Sequence, residues 1–281
     1  MSTSTAGVRL RGAIDGATLQ VPGVPNALSA RLAEQEGFQA VYLSGAALSA
    51  GMLAMPDVGL LTLTELAQQV GYVCERTVLP VIVDADTGFG DWRNVGRTIG
   101  LLESAGAAAI QLEDQQLPKR CGHLPGKELV TTEAMCDKLR AAVDARRDPG
   151  LVLIARTDAR GVAGFEEAVE RAARYREAGA DWVFPEALES RDEFERFAEA
   201  VDAPLVANMT EFGRSPLLPF DTFRALGYAC VLYPVTLLRV AMKAIETALS
   251  VIAADGEQTE LLDLMQTRDE LYELLDYDAG A

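Results

Sequence analysis

The chain has 281 residues, 49% hydrophobic and 24% charged, with 25 Lys and Arg against 42 Asp and Glu. A net charge of −17 argues against nucleic acid or an anionic membrane as partner. Four scattered cysteines (Cys74, Cys121, Cys136, Cys230) and a single histidine argue against a zinc site or disulfide framework. With no charged-then-apolar leader and no apolar run near the ~20 residues that span a bilayer, the expectation is a soluble cytoplasmic protein.

In chain order, residues 1–7 read as loose, and a weak strand candidate follows at 18–21. Helical stretches then end at Gly37, Gly106, Gly179 and Gly227, and apolar runs start within a few residues at 40–43, 108–112, 182–184 and 229–233. That is how a left-handed residue ends a helix and feeds a strand. Similar Val, Ile and Leu runs stand at 81–83, 151–155 and 205–207, continuous rather than alternating, as in parallel strands covered on both faces. Helical patterns fall between them at 94–104, 132–146, 165–178 and 192–201. Eight βα units predict a TIM-type (β/α)8 barrel, one domain over residues 1–281, and the absence of a Gly-rich fingerprint after the first strand disfavours a dinucleotide-binding sheet. The helical segments at 235–254 and 258–275 are not needed to close a barrel and are expected on its outside or on a neighbouring subunit. Between Asp255 and Ala281 stand nine acidic residues and one basic residue, Arg268.

Reactive residues gather where the strands end, the face that carries the active site of such barrels. They include Tyr42, Ser44 and Gly45, then Asp84 and Asp86, Glu113, Arg156, Glu186, Asn208, Met209, Thr210 and Tyr233. Asp84 and Asp86 on one strand would share a face about 6.5–7 Å apart, which suits a hard divalent cation; salt bridges to Arg156 are the alternative. Glu113 and Glu186 add negative charge that a cation would offset. Arg156 can clamp a substrate carboxylate, as can Arg239 and Arg268, although Arg268 also reads as an ordinary helix-face ion pair. Asn208 and Thr210 offer neutral hydrogen bonds or turn capping.

The segment from Asp114 to Thr131 is long for a βα loop and contains Pro118, Gly122, Pro125 and Gly126, the composition of a mobile lid. It carries Lys119-Arg120-Cys121-Gly122-His123. The flanking cations and the imidazole are expected to favour thiolate at Cys121, and Gly122 to permit close backbone approach; a surface loop with a chance cysteine is the plain alternative.

Tyr42-Leu43-Ser44-Gly45, Met55-Pro56-Asp57, Asp84 to Gly90, Glu113-Asp114-Gln115, Lys119 to His123, Ala155 to Asp158, Phe184-Pro185-Glu186, Asn208 to Gly213, Leu232-Tyr233-Pro234 and Gln266-Thr267-Arg268 occur in that order. On these segments the chain resembles the isocitrate lyase and phosphoenolpyruvate mutase superfamily over nearly its whole length. The resemblance implies Mg2+-dependent (or Mn2+-dependent) retro-aldol cleavage of 2-methylisocitrate to pyruvate and succinate, with isocitrate and 2,3-dimethylmalate as rival substrates. A non-catalytic carboxylate-binding barrel is the rival of a different class. It further implies that Asp84 and Asp86 hold the metal and that Ser44, Gly45, Ala46, Asp57, Cys121, Gly122, Arg156, Glu186, Asn208, Met209, Thr210, Arg239 and Arg268 meet a small tricarboxylate. Cys121 would be the general acid, with substrate carboxylates raising its pKa. Tyr42 or Glu113 would relay the hydroxyl proton, and His123 would position lid or substrate. A homotetramer, a dimer of dimers with C-terminal helices swapped between subunits, is the implied assembly.

Overall fold

A computed structural model describes residues 4–278. Its order is α1 (Ala6–Ala13), β1 (Leu19–Pro22), α2 (Ala27–Gln35), β2 (Val41–Leu43), α3 (Gly45–Leu53), α4 (Leu63–Cys74), β3 (Val81–Asp84), α5 (Trp92–Ser104), β4 (Ala109–Glu113) and α6 (Thr132–Ala145). There follow β5 (Val152–Thr157), α7 (Phe165–Glu177), β6 (Trp182–Pro185), α8 (Arg191–Ala200), β7 (Val206–Asn208), α9 (Phe220–Ala225), β8 (Cys230–Tyr233), α10 (Thr236–Asp255) and α11 (Arg268–Leu274). All eight expected strands are present, each within a residue or two of its expected bounds.

Every strand pairing is parallel, and strands follow one another in space as in sequence. A five-stranded arc, β2 to β6, and a three-stranded arc, β7-β8-β1, meet at two seams. One is the bridge Gly23↔Tyr42, with the Val24 N–H donating to the Tyr42 carbonyl at 2.8 Å; the other is Val183↔Leu205, with the Val183 N–H on the Pro204 carbonyl at 3.0 Å. The result is a closed (β/α)8 barrel.

Strand residues facing inward fill the barrel: Leu19, Val21, Tyr42, Ile82, Val152, Ile154, Trp182, Phe184, Val206 and Leu232 form one buried cluster. Leu10 of α1 joins it, with Ala6, Ala13 and Ile14 alongside, so α1 closes the floor of the barrel. The outward faces of the same strands pack on the helices, for example Val41, Val83, Ile110 and Leu153 on Leu66, Ile99, Leu139 and Tyr175. Continuous burial of both faces explains why the strands read as unbroken apolar runs.

Two expectations are corrected. Residues 1–7 are not loose throughout: α1 starts at Ala6, capped by the Thr5 hydroxyl accepting from the Val8 N–H at 3.4 Å, while residues 1–3 lie outside the described residues. The segment 258–275 is not one helix. Thr259–Leu264 is a 3-10 turn, Met265 is extended, and the capping box of Thr267 and Glu270 starts α11 afresh.

Gly7 of α1 packs so tightly on the Gly150 carbonyl and Leu151 amide that a Cβ would overlap them, whereas Gly12 has open space. Gly7→Ala is expected to destabilise by roughly 1–3 kcal/mol. Gly12→Ala should instead hold stability or raise it by about 0.5–1 kcal/mol, since alanine is the better helix former. Urea midpoints of the two variants against the parent check this.

Candidate active site

The loops after β2, β3, β4, β5, β6 and β7 converge on one mouth. Ala54, Asp86, Phe89, Ala187 and Phe212, all non-glycine residues with positive φ, stand in loops on this face. Strained backbone of that kind concentrates where side chains must be aimed.

Asp84 ends β3, whereas Asp86 lies beyond the strand in a turn with φ of 47°. The strand alternation expected to align the pair therefore does not operate. The turn instead brings one oxygen each of Asp84, Asp86 and Glu113 within 4.8 Å of one another. Asp84 is fully oriented: Oδ2 accepts from the Gly45 N–H at 3.1 Å, and Oδ1 from Gln111 Nε2 at 3.0 Å and the Asp86 N–H at 3.2 Å. Gly45 leaves room for this, since a Cβ there would stand 3.3 Å from both aspartates.

Glu113 Oε1 is buried without a hydrogen-bond partner. Asp86 Oδ1 meets Lys119 Nζ at 2.6 Å as an ionic contact, but also lacks a hydrogen bond of normal geometry. Burial raises the Asp86 carboxyl to about 6 against the opposing pull of Lys119, and burial also raises Glu113 well above the carboxylate range. Oxygens so desolvated and so close fit a hard divalent cation, which takes oxygen ligands and would relieve their repulsion.

Arg156, the register partner of Glu113 across β4 and β5, sits beside this cluster rather than on the aspartates. Its Nε lies 3.5 Å from Glu113 and 3.0 Å from Asp158 Oδ2; its Nη2 lies 3.2 Å from Asp158 Oδ1 and 3.1 Å from Glu186 Oε2. Burial opposes the charge on Glu186, but Arg156, His123 and Lys127 hold its pKa well below the usual carboxylate range. Tyr42 donates to Gln111 Oε1 at 2.9 Å, and burial pushes the phenol pKa up, so it stands as a fixed donor.

The lid lies closed over these groups. Its stem pairs Gln115 with Leu129, and the Gln115 side chain clasps the Arg120 backbone, accepting from its N–H and donating to its carbonyl at 2.9 Å each. Gly122 lies against Arg156 and Glu186 so closely that a Cβ would collide with both. His123 Nδ1 accepts from the Arg214 N–H at 2.9 Å, so the ring proton belongs on Nε2, which faces Glu186 Oε1 at 3.0 Å. That pairing makes His123 an anchor of the lid.

The cations flanking Cys121 do not activate it as expected. Lys119 turns to Asp57 and Asp86, and Arg120 is directed toward the Pro125 carbonyl at 3.5 Å. Burial instead raises the thiol pKa, with Asp57 and Glu186 adding to it against the His123 N–H and Arg156.

Tyr42, Ser44, Ala46, Asp57, Asp84, Cys121, Gly122, His123, Arg156, Glu186, Asn208 and Thr210 line one cavity of about 60 Å3, with Phe184, Leu232 and Pro234 as its apolar wall. Pockets that engulf small molecules run to ~300–1,000 Å3, so a tricarboxylate enters only with the lid displaced. Four expected contacts are not brought to this wall: the Gly45 N–H is taken up by Asp84 behind it, and three more lie farther off. Met209 packs in the outer core and accepts from the Leu218 N–H, Arg239 is turned out onto Glu211 and Phe212, and Arg268 is exposed at the start of α11. Sequence reasoning missed Gln111, which alternation from Glu113 along β4 would have found, and Lys127, for which no local pattern signals a role.

The phosphoenolpyruvate phosphomutase family model matches residues 13–253. The chain belongs to the phosphoenolpyruvate mutase and isocitrate lyase superfamily. It is 56% identical over 272 residues to a 2-methylisocitrate lyase of Aeropyrum pernix, covering 96% of this chain and 87% of that protein. To the 2-methylisocitrate lyase of Salmonella typhimurium it is 44% identical over 279 residues, covering 99% and 95%. Among solved structures, 2,3-dimethylmalate lyase superposes with a TM-score of 0.91 at 36% identity, covering 97% of this chain and 92% of that one. Phosphonopyruvate hydrolase with oxalate and Mg2+ gives 0.88 at 33%, covering 97% and 95%.

Because the raised pKa keeps the Cys121 thiol protonated at neutral pH, its alkylation by iodoacetamide without substrate is expected to rise with pH through a midpoint above the ordinary thiol value of 9.0. Peptide-resolved labelling from pH 6 to 11 checks this; a midpoint below ordinary would restore the cation-activated thiolate.

Proposed function

We propose that the protein is a Mg2+-dependent carbon–carbon lyase that cleaves 2-methylisocitrate to pyruvate and succinate. The observation that carries this reading is a lid-borne thiol that shares one cavity with Asp84 of the buried acidic cluster and a carboxylate-flanked arginine. Two relatives that match this chain over 96% and 99% of its length bear the name of that activity.

Asp84 and Asp86 would hold the cation, whose all-oxygen surroundings suit Mg2+ over softer metals. When bound, it supplies Lewis acidity toward a hydroxyl and carboxylate of the substrate. Glu113, with a free oxygen beside the cation site, takes the hydroxyl proton directly or through water. Tyr42 is not the acceptor on this reading, since its phenol is already spent on Gln111.

The hydroxyl oxygen then becomes the ketone of pyruvate as the adjacent C–C bond breaks, leaving its electron pair on the succinate fragment. Cys121 Sγ–H gives that carbon its proton. Arg156 binds carboxylate, Ser44, Ala46, Asn208 and Thr210 provide polar and backbone contacts, and closure of Cys121-Gly122-His123 excludes water. The apolar patch of Phe184, Leu232 and Pro234 receives the methyl group.

Purified protein with Mg2+ is expected to release pyruvate from 2-methylisocitrate much faster than glyoxylate from isocitrate, and to lose activity with EDTA and regain it on Mg2+ addition. Cys121→Ser should lower kcat by at least ~100-fold, the scale of a lost general acid. Glyoxylate as the faster product would reverse the substrate assignment, and full activity in Cys121→Ser would remove the acid.

The exposed face of α10 supports an oligomeric assembly. None of its residues is buried in the isolated chain, and Val240 and Leu249 are 65% and 61% exposed beside Ile245 and Ile252. Such a face is covered in a homotetramer by neighbouring subunits. Light scattering is expected to give four times the chain mass, and Leu249→Asp a smaller species.

A further inference from the structure

Lys127 ends the lid, just before the Gln115–Leu129 stem, and it is one of the most buried cations in the protein, its side chain 2% exposed. A cation in that setting is tolerated only when paired and hydrogen-bonded. Lys127 Nζ meets two acceptors: the Gly122 carbonyl, in a short contact, and Asp158 Oδ1 at 2.7 Å. The 3-10 turn Ala159–Gly161 packs flat on its stem, since a Cβ on Gly161 would stand 3.3 Å from Nζ.

Its two acceptors belong to different bodies. Gly122 is on the moving arc of the lid, between the Arg120 backbone clasped by Gln115 and the fixed stem. Asp158 is fully buried on the barrel, accepting from Arg156 through both carboxylate oxygens at 3.0 and 3.2 Å. Asp158 Oδ1 is thus shared by Lys127 and Arg156. When the Gly122 carbonyl leaves, the whole charge of Lys127 falls on that oxygen, in competition with Arg156.

Resting on the reading of Cys121 and Arg156 given above, we propose that Lys127 is a positioning residue that latches the lid through the Gly122 carbonyl and, through Asp158, couples lid closure to the alignment of Arg156. Closed lid and aligned arginine are one state, and each favours the other. Cys121, one residue from the latched carbonyl, is delivered only in that state.

The latch is tested without substrate by peptide-resolved iodoacetamide labelling of the full-length protein, with Cys74 as an internal reference remote from the cavity lining. In Lys127→Met the Cys121 rate is expected to rise at least tenfold with Cys74 unchanged. Lys127→Arg, which keeps a donor cation, should return Cys121 most of the way to the parent rate. In turnover with 2-methylisocitrate and Mg2+, kcat falls at least tenfold in Lys127→Met and recovers substantially in Lys127→Arg. A Cys121 rate within twofold of the parent in Lys127→Met, or a rise shared equally by Cys74, overturns the proposal. Absence of turnover in the parent would count against the lyase reading alone, because the labelling result needs no substrate.

Discussion

Repulsion among buried carboxylates at the mouth of the barrel is the constraint from which the site follows. Asp84, Asp86, Glu113, Asp114, Asp158 and Glu186 are all buried there. Lys127 and Arg156 neutralise the side that holds Asp158 and Glu186, and Arg171 and Tyr175 absorb Asp114. Lys119, with Arg156 reaching Glu113 from the side, opposes the remaining three, and burial still raises Asp86 and Glu113. The protein holds acid in excess of base at one point, and a desolvated excess of that kind is a standing demand for a cation. Placement of charge, rather than shape alone, makes this mouth reactive.

Closure of the lid extends the same economy of charge. Gly122 abuts Arg156 and Glu186, and His123 donates to Glu186, so the lid seats on groups that also line the cavity. The pKa of the thiol it carries is raised by burial and by Asp57 and Glu186 before any substrate arrives. On the proposed reading, delivery of the acid and exclusion of water become the same event.

Most of the eight strands were legible because they are buried on both faces and so read as continuous apolar runs, four of them preceded by a glycine that ends a helix. Positions such as Asp84, Glu113 and Arg156 were legible because strand ends are local features. The aim of each side chain was not. Asp86 reaches the cluster through a turn with φ of 47°, and Lys119 turns away from Cys121 because Asp57 and Asp86, distant in sequence, attract it. The flanking cations of a cysteine therefore say little about its pKa until their partners are known. Arg239 and Arg268 illustrate the reverse: their charge suggested clamps, yet in the isolated chain one meets Glu211 and the other lies exposed.

The two seams of the barrel divide labour as well as backbone. The larger arc, β2 to β6, carries or directly precedes the acidic cluster, Arg156, Glu186 and the lid, all in one continuous hydrogen-bonded sheet. The smaller arc supplies Asn208, Thr210 and much of the apolar wall through Leu232 and Pro234, and leads directly into α10. Since isolated bridges join the arcs, the wall can be recut by substitution on β7 or β8 without shifting the register that pairs Glu113 with Arg156. On the proposed reading, the metal ligands and the acid stand on one piece of the barrel and most of the wall that meets the side group on the other, with Phe184 of β6 the exception.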